Sequence, residues 1–124
     1  MIDFSLPRKN TSARGRIGED LACGILAKKG VEVIQRNFRI RTGEVDIIGR
    51  EKDVLCFVEV KSWGRDWWPD LGMAIGPRKR GRIRKTARAW LAANRVDCQQ
   101  IRFDLLLIDP ETGEHEWLPG ALDY

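Results

Sequence analysis

Apolar residues recur at helical spacing near the start of the chain. Ile17, Leu21 and Ile25 stand at i, i+4 and i+8, and Glu19, Cys23 and Leu26 form a second line at i, i+4 and i+7. A helix is predicted over Arg14–Lys29, with Gly30 as its C-terminal stop. Glu19 lies along the partly apolar second ridge and is expected to face a neighbouring sheet, whereas Asp20 projects elsewhere. Three strand-like runs follow, Val31–Ile40, Glu44–Gly49 and Val54–Lys61. The connection Arg41-Thr42-Gly43 is short and ends in glycine, as a hairpin turn requires, so the first two strands are expected to be antiparallel neighbours. Val54-Leu55-Cys56-Phe57-Val58 is apolar on both faces, the pattern of a central strand covered on both sides.

Beyond Lys61 the periodicity breaks. Ser62–Gly76 carries Trp63, Gly64, Trp67, Trp68, Pro69 and Gly72 and is predicted to be a loop of high aromatic content. Gly76-Pro77 opens a second helix, proline suiting its first turn, with Ile83, Ala87, Trp90 and Leu91 as its buried stripe. Gln100–Ile108 is a final long strand, apolar at Ile101, Phe103, Leu105 and Leu107 on one face and mixed at Asp104, Leu106 and Ile108 on the other. Asp109-Pro110-Glu111-Thr112-Gly113-Glu114 is turn chemistry leading to a short edge strand near Glu116-Trp117-Leu118, after which the terminus is expected to be loose. A length of 124 residues with 43% hydrophobic content suits one compact core. Residues 14–124 are therefore expected to form a single domain, preceded by a flexible basic arm over residues 1–13.

Charge adds a partner class. The net charge is +4 and the sequence pI about 9.2, a moderate bias toward polyanions. Its distribution is more telling, because Arg78, Lys79, Arg80, Arg82, Arg84, Lys85, Arg88 and Arg95 stand with no acid between Ala74 and Val96. A solvated helix face normally mixes Glu with Lys, so an unmixed one favours a phosphate-binding surface. Lys79 falls beside Ile83 and Trp90 on the helical wheel, near the sheet side. Trp63, Trp67 and Trp68 are suited either to stacking on bases or to anchoring the loop as core residues.

Several mechanisms are excluded. Cys23, Cys56 and Cys98 are odd in number and far apart, which reads as reduced thiols in a cytoplasmic protein. No apolar leader or membrane-length run is present, so no membrane partner is expected. His115 is the only histidine, and neither GxxxxGK[ST] nor GxGxxG occurs, which leaves carboxylate chemistry.

That chemistry has a place. Strand alternation sends Glu59 and Lys61 to one face, and a return through Arg50-Glu51-Lys52-Asp53 brings Asp46 alongside them. Two carboxylates about 4 Å apart repel by about 4 kcal/mol at an effective dielectric of about 20, so a cation is needed between them. Asp46, Glu59 and the Val60 carbonyl offer hard oxygen donors suited to Mg²⁺ or Mn²⁺. Glu19 is either a further contact to that site or an ordinary first-turn acid favoured by the helix dipole. Asp104 either joins the acids or pairs with an arginine, the second being favoured.

Asp46, a gap of twelve residues and Glu59-Val60-Lys61 resemble the D…ExK signature of the PD-(D/E)xK nuclease superfamily. More closely, Gly18-Glu19, Arg36-Asn37-Phe38-Arg39, Gly43-Glu44-Val45-Asp46, Phe57-Val58-Glu59-Val60-Lys61, Pro77-Arg78-Lys79 and Arg102-Phe103-Asp104 resemble the YraN family of small bacterial proteins. That family is in turn similar to archaeal Holliday-junction resolvases. The resemblance covers Arg14 to Ile108 and implies an α/β fold with a restriction-endonuclease-like core, a central mixed sheet with a three-strand meander flanked by helices. It implies a metal-dependent nuclease with Glu19, Asp46, Glu59 and Lys61 as catalytic residues, Lys79 as an auxiliary one and a Mg or Mn cofactor. Branched or structured DNA is the implied substrate, with DNA favoured over RNA and a homodimer left open. The family pattern places an arginine two residues after the lysine, where this chain has Trp63. The alternative is a non-catalytic nucleic-acid-binding protein on the same scaffold.

Overall fold

The computed structural model describes residues 13–69, 75–98 and 100–123, with the side chains of 13–16 excepted. The expected basic arm therefore lies, Ala13 apart, outside the described residues. Helix α1 (Ala13–Lys28) leads into β1 (Glu32–Ile40), β2 (Gly43–Glu51) and β3 (Val54–Ser62). A short 3-10 turn (Arg65–Trp67) precedes α2 (Pro77–Ala93), β4 (Gln100–Ile108) and β5 (His115–Leu118). One mixed sheet results, in the order β1-β2-β3-β4-β5. Its first three strands form the antiparallel meander, β4 runs parallel to β3, and β5 returns antiparallel. Two-residue turns close both hairpins, with Ile40 opposite Gly43 and Glu51 opposite Val54.

The parallel step is made by α2. A crossover of this kind lays a helix over one sheet face, and the apolar stripe of α2 meets it there. Ile83, Ala87 and Trp90 are buried against Val45, Leu55, Phe57, Leu105 and Leu107. The Trp90 indole meets Phe57 edge-on at 6.0 Å, and its N–H donates to Gln35 Oε1 at 2.8 Å, so the buried ring leaves no polar group unsatisfied. The opposite face is covered by α1, where Ala22 and Leu26 pack on Ile47, Cys56, Val58, Val60, Leu106 and Ile108. As the double-faced apolar run predicts, β3 is the central strand. Among the described residues no helix is long and apolar enough to cross a membrane.

The ridge of α1 that carries Glu19 and Leu26 faces the sheet, as expected, while on the other line Ile17 is 52% and Leu21 36% exposed. Contact with the sheet is made through Gly18, Glu19, Ala22 and Leu26. The small residues in that set let the helix axis come close. A Cβ on Gly18 would collide with the Ser62 side chain at the end of β3, so a larger residue there would have to displace Ser62. The C-terminal segment is packed, not loose: Leu122 is buried, its N–H donates to the Phe103 carbonyl at 3.0 Å, and Asp123 Oδ1 accepts from the Phe103 N–H at 2.8 Å. Because β5 pairs with β4 only from Leu105 onward, the terminal residues satisfy the backbone groups of Phe103 that would otherwise go unmet. The expected loop after β3 is likewise ordered where described, with Trp63 N–H on the Ile108 carbonyl and Arg65 N–H on Asp109 Oδ2.

Candidate active site

The β2–β3 ladder ends at the pair Ile47 and Val58, one residue short of Asp46. From there the Asp46 side chain takes over from backbone, its Oδ2 accepting the Val60 N–H at 2.8 Å. A residue's N–H and C=O leave a strand on the same edge, so the Val60 carbonyl also leaves β3 on the Asp46 side. Asp46 is 1% exposed, which puts its carboxylate against the Glu59–Val60 peptide inside the protein. Gly43 makes this start of β2 possible. A Cβ there would fall 2.5 Å from Thr86 Oγ1 and 3.2 Å from the Arg82 carbonyl, so only glycine lets α2 lie so close.

On β3, Glu59 and Lys61 share the α2 face with Phe57, as period two requires. Both are buried, at 4% and 6% exposure, and Lys61 Nζ stands 3.3 Å from Glu59 Oε2. Lys79, in the first turn of α2, reaches the same oxygen at 3.0 Å. The wheel position that set Lys79 apart from its neighbours thus has a structural counterpart. Two ammonium groups on one carboxylate, beside the positive end of a helix dipole, make a strongly cationic pocket around a buried acid.

Glu19 approaches from the α1 side. Its Oε1 accepts from Asn37 Nδ2 at 3.1 Å and lies 3.5 Å from Arg36 Nη2, whose partner nitrogen holds Asp20 at 2.8 Å. The second oxygen, Oε2, is buried with no hydrogen-bond partner among the described residues. Asn37 has a positive φ of 54° and, from the flanking pairs Arg36–Ile47 and Phe38–Val45, sits across from Asp46. Asparagine tolerates that left-handed conformation, and its amide bridges the helix acid to the strand that faces Asp46. Asn37 stands in the sequence between Arg36 and Phe38 with no sign of this role beyond its residue type.

The remaining expected residues divide. On α2, Arg78, Arg82 and Lys85 form an exposed line at i, i+4 and i+7, with Arg88 exposed nearby. Arg84 is turned to structural use, lying over the Phe103 ring at 5.7 Å and donating to the Leu122 carbonyl at 3.2 Å. Arg80 is half-buried, its Nε lacking a partner among the described residues. Trp68 is 8% exposed and donates to the Trp63 carbonyl, Trp63 is partly buried on the core, and Trp67 is 57% exposed. Asp104 does not join the acids. It is fully buried, holding Arg102 Nε at 2.8 Å and Nη2 at 3.0 Å together with the Trp117 indole and the Gly120 N–H. That hydrogen-bonded contact raises the Arg102 pKa further, and burial followed by the Asp104 charge pushes the Cys56 thiol up to about 11.

Would a divalent ion fit? Among the described residues no three His, Cys, Asp or Glu side chains are grouped to hold one. The donor set of Asp46, Glu59 and the Val60 carbonyl is nevertheless all oxygen, which suits a hard cation that keeps several of its waters.

Fold and site together define a mixed α/β protein with a buried acid–lysine cluster at the end of its β2–β3 ladder. Residues 18–108 match the model of the uncharacterised protein family UPF0102, and the chain belongs to that family, the YraN family of the resemblance above. A UPF0102 protein of Syntrophus aciditrophicus is 38% identical over 111 residues, covering 88% of this chain and 87% of its own. One from Dechloromonas aromatica is 43% identical over 111 residues, covering 90% and 89%. A third, from Streptomyces griseus, is 47% identical over 79 residues, covering 64% and 66%.

Proposed function

We propose that this protein is a cytoplasmic nuclease that hydrolyses phosphodiesters of DNA with a bound Mg²⁺ or Mn²⁺, acting on branched or structured DNA. The observation that carries the reading is the Asp46 carboxylate on the Val60 N–H, inside the triplet whose outer members are Glu59 and Lys61. On this reading an acid, a backbone carbonyl and a second acid would stand together beside a buried lysine. Asp46, Glu59 and the Val60 carbonyl would hold the cation, which supplies charge stabilisation at a phosphate oxygen and lowers the pKa of water. Lys61, anchored by Glu59, positions the attacking oxygen and offsets charge that builds on the phosphate. Lys79 adds a second ammonium from the first turn of α2, and Glu19 orders the approach through Asn37. Along α2, Arg78, Arg82, Lys85 and Arg88 hold flanking phosphates, a contact that weakens as salt rises.

A second reading, a non-catalytic nucleic-acid-binding protein, is favoured by one observation: Glu59 Oε2 already meets both Lys61 and Lys79. The two part in one experiment, in which labelled single-stranded, duplex and four-way-junction DNA are incubated with wild type or Lys61→Ala in Mg²⁺ or Mn²⁺. Cleavage that needs both metal and Lys61 supports the nuclease. Salt-sensitive binding shared by both proteins, without cleavage, moves the assignment to the binding protein.

A further inference from the structure

We infer that Trp67 is a stacking platform for an unpaired nucleobase beside the phosphodiester handled by Glu59 and Lys61. The inference rests on the proposed nucleic-acid substrate and specifies its class: a strand with an unstacked or single-stranded nucleotide at the site.

Placement comes first. Glu59, Lys61 and Trp63 alternate onto one face of the chain leaving β3, and Trp63 packs on the α2-side core. Trp67 meets the Trp63 ring at 6.0 Å with an interplanar angle of 67°, and Trp63 follows Lys61 by two residues, so the pair of rings continues the chain on from the lysine. Of the three tryptophans in this segment it alone is strongly exposed, at 57% against 8% for Trp68.

An exposed tryptophan by itself is ordinary, but this one is braced. Its backbone N–H donates to the Gly64 carbonyl at 3.0 Å, the Trp68 indole N–H is held by the Trp63 carbonyl, and the Arg65 backbone N–H by Asp109. Burying the neighbours and presenting one ring is the arrangement of a preorganised contact, in which little freedom is left to lose on binding.

The local cation is also spent elsewhere. Arg65 lies 2.7 Å from Glu114 Oε2 and over the Trp68 ring at 5.3 Å. The segment therefore presents a π face more than a charge, while charge is supplied by α2, whose Lys79 reaches Glu59. Aromatic faces bind bases that have left the helical stack, and a base paired within a duplex has no free face to offer.

The test is made in EDTA, by fluorescence anisotropy of a labelled single strand and of the same sequence as a duplex. Trp67→Ala should weaken single-strand binding by roughly 5- to 150-fold, the span of one lost base stack. Trp67→Phe should restore most of it, and duplex affinity should not change. Equal losses on both ligands, no loss on either, or no single-strand binding by wild type would overturn the inference. Because no metal is present, failure of the metal-loaded protein to cleave would remove the nuclease reading and leave these affinities standing.

Discussion

Asp104 gives the sharpest test of which acids in this protein are structural. The substitution Asp104→Asn keeps the shape and creates no cavity, yet it must turn an NH2 toward one of two donor pairs. At Oδ1 those donors are Arg102 Nε and the Gly120 N–H, and at Oδ2 they are Arg102 Nη2 and the Trp117 indole. Either orientation sets donors against donors and removes the charge opposite Arg102. Breaking a buried ion pair costs about 3–5 kcal/mol. Arg102 keeps Glu51 at 3.0 Å, so the low end, about 3 kcal/mol, is expected. For a chain of 124 residues that corresponds to a fall in Tm of about 12 °C. Calorimetry on Asp104→Asn, Arg102→Met and the double variant completes a cycle. With both partners gone no buried charge is stranded, and the double variant should lie about 2 kcal/mol above the sum of the singles. Additive losses would refute the pairing, and so would an Asp104→Asn protein of wild-type Tm that has lost activity.

Three further outcomes are expected. Gly43→Ala should lower stability by about 1–3 kcal/mol in urea unfolding, since its Cβ enters the space of Thr86 Oγ1; adding Thr86→Ala should recover part of the loss, with the Arg82 carbonyl still in the way. Lys79→Met removes an ammonium partner of Glu59, so apparent Mn²⁺ affinity by titration calorimetry should rise about tenfold, and an unchanged affinity would count against a cation site at Glu59. The Cys56 thiol stands near 11 against 9.0 for an ordinary thiol. A folded value above the unfolded one gives stability that is whole below about pH 9 and declines toward pH 11, by on the order of 2 kcal/mol. Cys56→Ala should flatten that decline, and parallel wild-type and variant curves would contradict it.

The legible parts of the site were those set by strand period. Glu59 and Lys61 had to share a face, and the return read over Arg50-Glu51-Lys52-Asp53 does bring β3 back along β2, closing more tightly than expected at Lys52-Asp53. Lys79 was legible from helical period in the same way. On α1 the Glu19 ridge was legible as the one facing the sheet; what local pattern could not carry was the part played by Gly18 and Ala22, small residues that let the helix pack close while Ile17 and Leu21 stay outward. The Asn37 bridge and the side-chain bond from Asp46 to Val60 were hidden for a related reason. Each depends on residues brought together by strand pairing, at a point where the regular ladder stops. The packed C-terminus depends on an unfilled stretch of β4 edge, which no property of Leu122 or Asp123 announces.

The sheet's two borders have a consequence for crowding in the cell. A long, flat outer strand invites another chain to continue the ladder, the first step toward aggregation. Here one border is β5, only four residues long, and the other is β1, whose Asn37 has a positive φ, whose register shifts between Val33 and Gln35, and whose Arg36 and Arg39 bear charge. Neither offers an uninterrupted row of backbone groups. Sheet extension is thus disfavoured at one border by the shortness of β5 and at the other by the irregularity and charge of β1.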